Sequence, residues 1–261
     1  MSLITVIGRG HSGTRAMSHT LSESGVYMGE PLNKSGDLLP PGDMYEAARV
    51  FGRYVCWQGD LQWDWSQAFS TEPTREFVGL IRAYLKTVLE SAAEHKGWKI
   101  PETTLCYPWI RHVFPEAKYI FWIRDPRDSI IGRHVTDDLG RFGIAYPETE
   151  DERLRRAISW KYQYDLVKAT LKPEHWIEIR FEDFVLKQEG TLARLQDFLG
   201  MKLATIPVQT DPVGRWRSDE GTHIFPFFEP AMRAYGYEPS SPEAASHAPR
   251  TTDHGIRSTH D

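Results

Sequence analysis

Two short stretches hold residue types suited to gripping anions. The first, "GRGHSGTRAM" (8–17), sets Gly8, Gly10 and Gly13 among the hydroxyls of Ser12 and Thr14 and the side chains of Arg9, His11 and Arg15. Glycines permit left-handed turns and close backbone approach, so successive N–H groups can converge on one anion. A helix that starts at such a turn adds its positive N-terminal end. The spacing nearly meets the phosphate-cradling pattern G-x-x-x-x-G-K-[ST], but no lysine precedes Thr14. An ATP- or GTP-hydrolysing loop needs that lysine, so another phosphate-bearing donor is expected. The plain alternative is a glycine-rich turn with surface arginines. The second stretch, "RDPRDSIIGRH" (124–134), places Arg124 and Arg127 directly after the apolar "YIFWI", with Pro126 suited to a first helical turn and Ser129 close behind. Here the alternative is internal pairing of the arginines with Asp125 and Asp128.

Positioning these residues calls for strands that end where the two stretches begin. Strand patterns run through "LITVI" (3–7), "AKYIFWI" (117–123) and "WIEIR" (176–180). Helical patterns cover 13–25, 43–52, 74–95, 104–114, 127–138, 150–171 and 190–199. Strands alternating with helices predict an α/β fold, a central parallel sheet flanked by helices in three layers, with ligands beyond the carboxyl ends of the strands. One domain over 1–238 is expected. The stretch from Pro239, rich in Ser, Thr, Pro and His without an apolar period, predicts a disordered tail over 239–261. Residues 33–43 read as a loop. Residues 52–73 read as an irregular stretch whose Tyr54, Trp57, Trp63 and Trp65 form either a lid's own small core or a stacking platform for sugar rings.

The 261 residues include 40% hydrophobic, 12% aromatic and 26% charged side chains, an ordinary soluble composition that excludes wholesale disorder. A net charge of −5 argues against a general nucleic-acid binder, so any polyanion must be met by local basic clusters. Two cysteines, Cys56 and Cys106, are too few for a disulfide framework and lack metal-ligand spacing, which fits a reducing compartment. With no secretory leader and no apolar run near the ~18 residues of a membrane span, a cytoplasmic location is expected.

Taken in order, five pieces resemble the sulfotransferase family that uses 3′-phosphoadenosine 5′-phosphosulfate. "GRGHSGTRAM" is similar to the family's 5′-phosphosulfate loop and "IFWIRDPRDSIIGRH" to its 3′-phosphate segment. "GWKIPETTLCYPWIRHVFPEAKY" resembles the Trp-Lys-x-Pro stretch, "IRFEDFV" with "LARLQDFLG" the Arg-Tyr-Glu-Asp-Leu segment and its helix, and "VGRWR" the Gly-Arg-Trp-Arg element of bacterial members. The resemblance implies a P-loop NTPase-like sulfotransferase fold and a nucleotide co-substrate held without metal. It assigns the phosphosulfate to Arg9, Gly10, His11, Ser12, Gly13, Thr14 and Arg15, the 3′-phosphate to Arg124 and Ser129 with Arg215 or Arg217, and stacking near adenine to Phe181, which replaces the usual tyrosine. Two positions depart from the family: His11 stands where Lys or Arg is usual, and Gly132 where a phosphate-binding serine is usual. Arg15 would supply the missing cation, and Ser129 or Arg133 the missing ligand.

The implied reaction is in-line attack on sulfur by an acceptor hydroxyl or amine, in which positioning and electrostatics dominate. A general base takes the acceptor's proton. Glu46, in "GDMYEAARVF", is the first candidate and Glu102 the second, with Asp43 and Glu30 behind them. His11 faces the leaving group, and Lys99 is expected at the transferred sulfuryl group. The acceptor is expected to be a small molecule or glycan, a carbohydrate or glycolipid where the aromatic stretch is a stacking platform rather than a lid's own core. A P-loop small-molecule kinase and a non-catalytic nucleotide-binding protein of the same fold are the competing readings.

Overall fold

The computed structural model describes residues 1–237. Apolar, β-branched and aromatic runs supply β1 (Ser2–Ile7), β5 (Lys118–Ile123) and β6 (Trp176–Arg180), while more polar segments supply β2 (Cys56–Gly59), β3 (Gln62–Asp64) and β4 (His95–Lys99). Four of them form one parallel sheet in the order β4-β1-β5-β6, while β2 and β3 make a separate antiparallel hairpin. In register, Val6 pairs with Lys99 on one side and Ile120 on the other. The carboxyl ends of β1, β4 and β5 therefore emerge on the same edge.

Side chains alternate across a strand, and here both faces are buried. Ile120 and Trp122 of β5 enter one core with Ile4 and Val6 of β1, whereas Tyr119, Phe121 and Ile123 enter the other. The first core is closed by α1 (Thr14–Glu23). On the opposite face lie α2 (Gly42–Gly52), α3 (Ser66–Ser70), α4 (Arg75–Tyr84), α5 (Lys86–Glu90) and α6 (Tyr107–Val113). The one-turn α7 (Pro126–Ser129) follows β5, and α8 (Glu152–Ala169) returns along the second core through Trp160, Tyr162 and Leu166. Beyond β6, α9 (Phe181–Leu186) and α10 (Gln188–Leu199) cover the first core, and α11 (Glu229–Ala234) packs on the second.

Several expected boundaries change. The helical pattern over 74–95 breaks at Leu85 and ends with α5 at Glu90, and the chain then enters β4, which the sequence reading did not identify. The helix expected over 127–138 is a single turn followed by 3₁₀ turns at Val135–Asp137 and Leu139–Phe142. A 3₁₀ turn, Pro101–Cys106, precedes the helix expected from 104. The stretch 52–73 is not irregular: it holds the β2–β3 hairpin and α3. Its Trp63 and Trp65 pack against Tyr162 of α8 and Tyr54 against Trp109 of α6, so these rings extend the main core and only Trp57 is exposed. The tail expected over 239–261 lies outside the described residues. Among the described residues no helix is long and apolar enough to cross a membrane.

Candidate active site

The loop between β1 and α1 is clamped by its neighbours. The amide of Gly8 donates to Thr104 Oγ1 at 2.9 Å while the Thr104 hydroxyl donates to the Gly8 carbonyl at 3.1 Å. The Trp122 indole N–H donates to the Ser12 carbonyl at 2.9 Å. His11 and Gly13 sit in the left-handed region at φ 60° and 90°. For His11 this conformation costs on the order of 1–2 kcal/mol, which the surrounding contacts must hold in place. Gly13 begins α1, whose first turn has no acidic residue and no side-chain cap. The positive end of α1 thus meets no acidic or capping side chain of its own helix.

That end opens on a cleft of about 630 Å³ whose lining includes Gly10, His11, Gly13, Thr14 and Arg15 from the loop. Lys99 from the end of β4, Arg124 from the end of β5, Phe181 at the start of α9 and Arg215 from the C-terminal segment line the same cleft. Arg124 lies over the Phe181 ring at 4.6 Å and donates to the His11 carbonyl at 3.2 Å, tying the second stretch to the first. Arg215 arrives through Asp128, which accepts from the amides of Gly214 (2.7 Å) and Trp216 (2.9 Å), while Arg127 stacks on Trp216 at 4.0 Å. The Nε atoms of Arg124 and Arg215 are buried without a hydrogen-bond partner.

Other expected site residues are placed elsewhere. Arg9 points away from the cleft: its guanidinium is buried, pairs with Asp137 and donates to the carbonyls of Gly10, Ser129 and Gly132. Ser12 spends its hydroxyl on the Arg9 carbonyl. Ser129 is fully buried, its hydroxyl unpartnered, and does not line the cleft. The start of α7 offers no open anion site either, because Asp125 caps it by accepting from the Arg127 amide and binds the Arg127 side chain at 2.7 Å. Glu46 is absent from the cleft lining; it sits on the half-exposed face of α2, paired with Arg49 at 2.5 Å and Arg53 at 3.8 Å. Glu102, next in the chain to the cleft-lining Pro101, is 1% exposed, with the Tyr45 side chain beside its carboxyl. Burial pushes its carboxyl up to about 7.

The cleft residues not singled out from the sequence for the site include Asp37, Ser35 and His134. Lys99, only 2% exposed, bonds Asp37 and donates to the Ser35 carbonyl at 2.7 Å. Asp37 lies in a loop far from Lys99 in the chain, and no local pattern marks it. Burial lowers the Lys99 ammonium from its ordinary range even though Asp37 pulls it back up. Burial and the nearby Arg9 likewise lower His11, which keeps its imidazole neutral at pH 7.

The model of the family described as "Sulfotransferase family" matches residues 4–205. Two curated relatives named "Putative protein-tyrosine sulfotransferase" align at 25% identity over 158 residues (Caenorhabditis briggsae) and 27% over 159 (Caenorhabditis elegans). Each alignment takes in 57% of this chain but only 53% and 57% of the relative, so the chain spans just over half the length of these proteins. Among solved structures, the sulfotransferase domain from the curacin biosynthetic pathway superposes with a TM-score of 0.56 at 14% identity, covering 91% of this chain and 98% of that domain. The sulfotransferase domain of the Synechococcus PCC 7002 olefin synthase gives 0.56 at 13%, covering 92% and 96%. These structural likenesses establish the fold. With the family match over most of its length, the chain belongs to the sulfotransferase family.

Proposed function

We propose that this sulfotransferase moves a sulfuryl group from 3′-phosphoadenosine 5′-phosphosulfate to a hydroxyl acceptor. The observation that carries the reading is the convergence of Arg15, Lys99, Arg124 and Arg215 with the open end of α1 on one cleft, in a chain of net charge −5. The residues fit a doubly anionic adenosine: four cationic side chains and the uncapped first turn of α1 bring N–H donors to one cleft that, among the described residues, holds a single carboxylate, Asp37. The first-turn amides of α1, Thr14 and Arg15 would hold the phosphosulfate, Arg124 and Arg215 the 3′-phosphate, and Phe181 the base.

In the reaction, the acceptor oxygen forms a bond to sulfur as the bridging bond to phosphate breaks, and adenosine 3′,5′-bisphosphate leaves with the electron pair. Asp37 is the carboxylate in the cleft and takes the acceptor's proton, in place of Glu46. Lys99 has three N–H donors and spends two on Asp37 and Ser35, leaving one for the transferred group. A sugar hydroxyl and a tyrosine phenol both suit this chemistry. The names of the curated relatives support including the phenol.

Calorimetric titration with adenosine 3′,5′-bisphosphate against ATP with magnesium, then transfer of labelled sulfate to tyrosine peptides, oligosaccharides, glycolipids and phenols, tests the reading. Tight bisphosphate binding and label on at least one acceptor are expected. Preference for ATP with magnesium would favour the kinase, and bisphosphate binding without transfer to any acceptor would favour a non-catalytic binder.

A further inference from the structure

The two places where the sequence departs from its family, His11 and Gly132, touch each other. A Cβ at Gly132 would lie 2.6 Å from His11 Nδ1 and 3.0 Å from its Cβ, so the ring of His11 occupies the space a serine would need. The converse holds one step away. A Cβ at Gly10 would lie 2.2 Å from His134 Cγ, so the ring of His134 fills the notch over Gly10. The phosphate loop and the second anion-binding segment thus interlock reciprocally, each offering a glycine notch to the other's histidine, with the two rings edge to face at 5.9 Å.

The interlock leaves His134 in one chemical form. The backbone amide of Thr136 donates to His134 Nδ1 at 3.2 Å, and an amide N–H can only donate, so Nδ1 is unprotonated and Nε2 carries the hydrogen. The Thr136 hydroxyl, 3.0 Å from Nδ1, accepts from Gln163 at 3.4 Å and so has its own hydrogen to direct at Nδ1. Burial and the nearby Arg9 push the ring down to about 4, so it is neutral at pH 7. Nε2 has no hydrogen-bond partner among the described residues, and the ring lines the cleft beside Gly10 and His11.

Resting on the reading that this cleft takes the sulfonucleotide, we propose that His134 is a nucleotide-contacting residue whose fixed Nε2–H donates to the donor's 5′ anionic group. It supplies a directional neutral donor where this chain's loop lacks the usual cation.

The test compares wild type, His134→Phe and His134→Gln by calorimetry, with adenosine 3′,5′-bisphosphate and adenosine 3′-monophosphate as probes. A lost hydrogen bond to a charged group predicts that His134→Phe weakens the bisphosphate about tenfold or more. The 3′-monophosphate, which lacks the 5′ group, should bind the Phe variant and wild type alike. Gln, whose amide nitrogen stands near the position of Nε2, should keep bisphosphate affinity within about threefold of wild type. Unchanged bisphosphate binding by His134→Phe overturns the proposal, as does an equal loss for both probes. Wild type that binds neither probe defeats the sulfonucleotide reading and this inference with it. Should the Phe variant not fold, ¹⁵N spectra of histidine-labelled wild type decide: an Nε2–H tautomer for His134 whose Nε2 shifts on adding the bisphosphate supports the contact, and an unmoved or Nδ1–H signal rejects it.

Discussion

Asp37 faces the cleft on Lys99, whereas Glu46 is engaged by Arg49 and Arg53 outside it. Asp37→Asn should therefore lower turnover by about 10²–10⁴-fold, the ordinary worth of a general base, with nucleotide affinity little changed. Glu46→Gln should stay within about twofold of wild type in the same sulfate-transfer assay. Glu102 makes a different prediction. Its carboxyl, raised to about 7 by burial, holds its proton in the folded state over a range where the unfolded chain has lost it, so stability falls as pH rises from about 4.3 to 7. Beyond pH 7 the deficit is roughly 3 kcal/mol. Glu102→Gln has no such proton to lose. Urea unfolding should show the variant gaining on wild type by roughly 3 kcal/mol between pH 5 and pH 8, and a constant difference would contradict the assignment.

At the level of elements, Arg9 braces the phosphate loop to the segment after α7. It bridges the carbonyls of Gly10, Ser129 and Gly132 to the buried Asp137. Arg9→Met would leave the buried Asp137 without its ion partner, held only by the His134 amide, which costs about 3–5 kcal/mol, and adding Asp137→Asn should recover part of the loss in denaturant unfolding. The places of the glycine loop and Arg124 at one cleft were legible in the sequence because each is local: an apolar strand, then glycine, hydroxyl and cationic residues, within a dozen positions. Arg9 carries the same charge as its neighbours, and only the packed structure tells which guanidinium turns inward. Strand β4 was hidden because "HKGWK" has two lysines and a glycine, while the apolar spacing of Phe77, Ile81, Tyr84 and Val88 continues past the true helix break. Asp37 was hidden for a related reason: its partner Lys99 comes from a distant strand, and the pairing exists only once β4 lies beside β1.

Across the whole molecule, an acidic protein gathers Arg15, Lys99, Arg124 and Arg215 on one cleft where three strands end, opposed among the lining residues by Asp37. Field lines focused there should speed the encounter with a polyanionic nucleotide. Raising salt from about 0.1 M to about 1 M shortens the Debye length from about 10 Å to about 3 Å, so stopped-flow association with adenosine 3′,5′-bisphosphate should slow steadily while dissociation changes less. The central claim is that the two ends of one nucleotide are held by two separate stretches of chain. Affinities of adenosine 3′,5′-bisphosphate and adenosine 5′-monophosphate, measured for wild type and Arg124→Ala, test it most directly. In wild type the 3′-phosphate should be worth about 100-fold or more, and in Arg124→Ala that advantage should collapse to within about tenfold. The same advantage in both proteins would mean that Arg124 does not meet the 3′-phosphate, and the two-ended grip would be wrong.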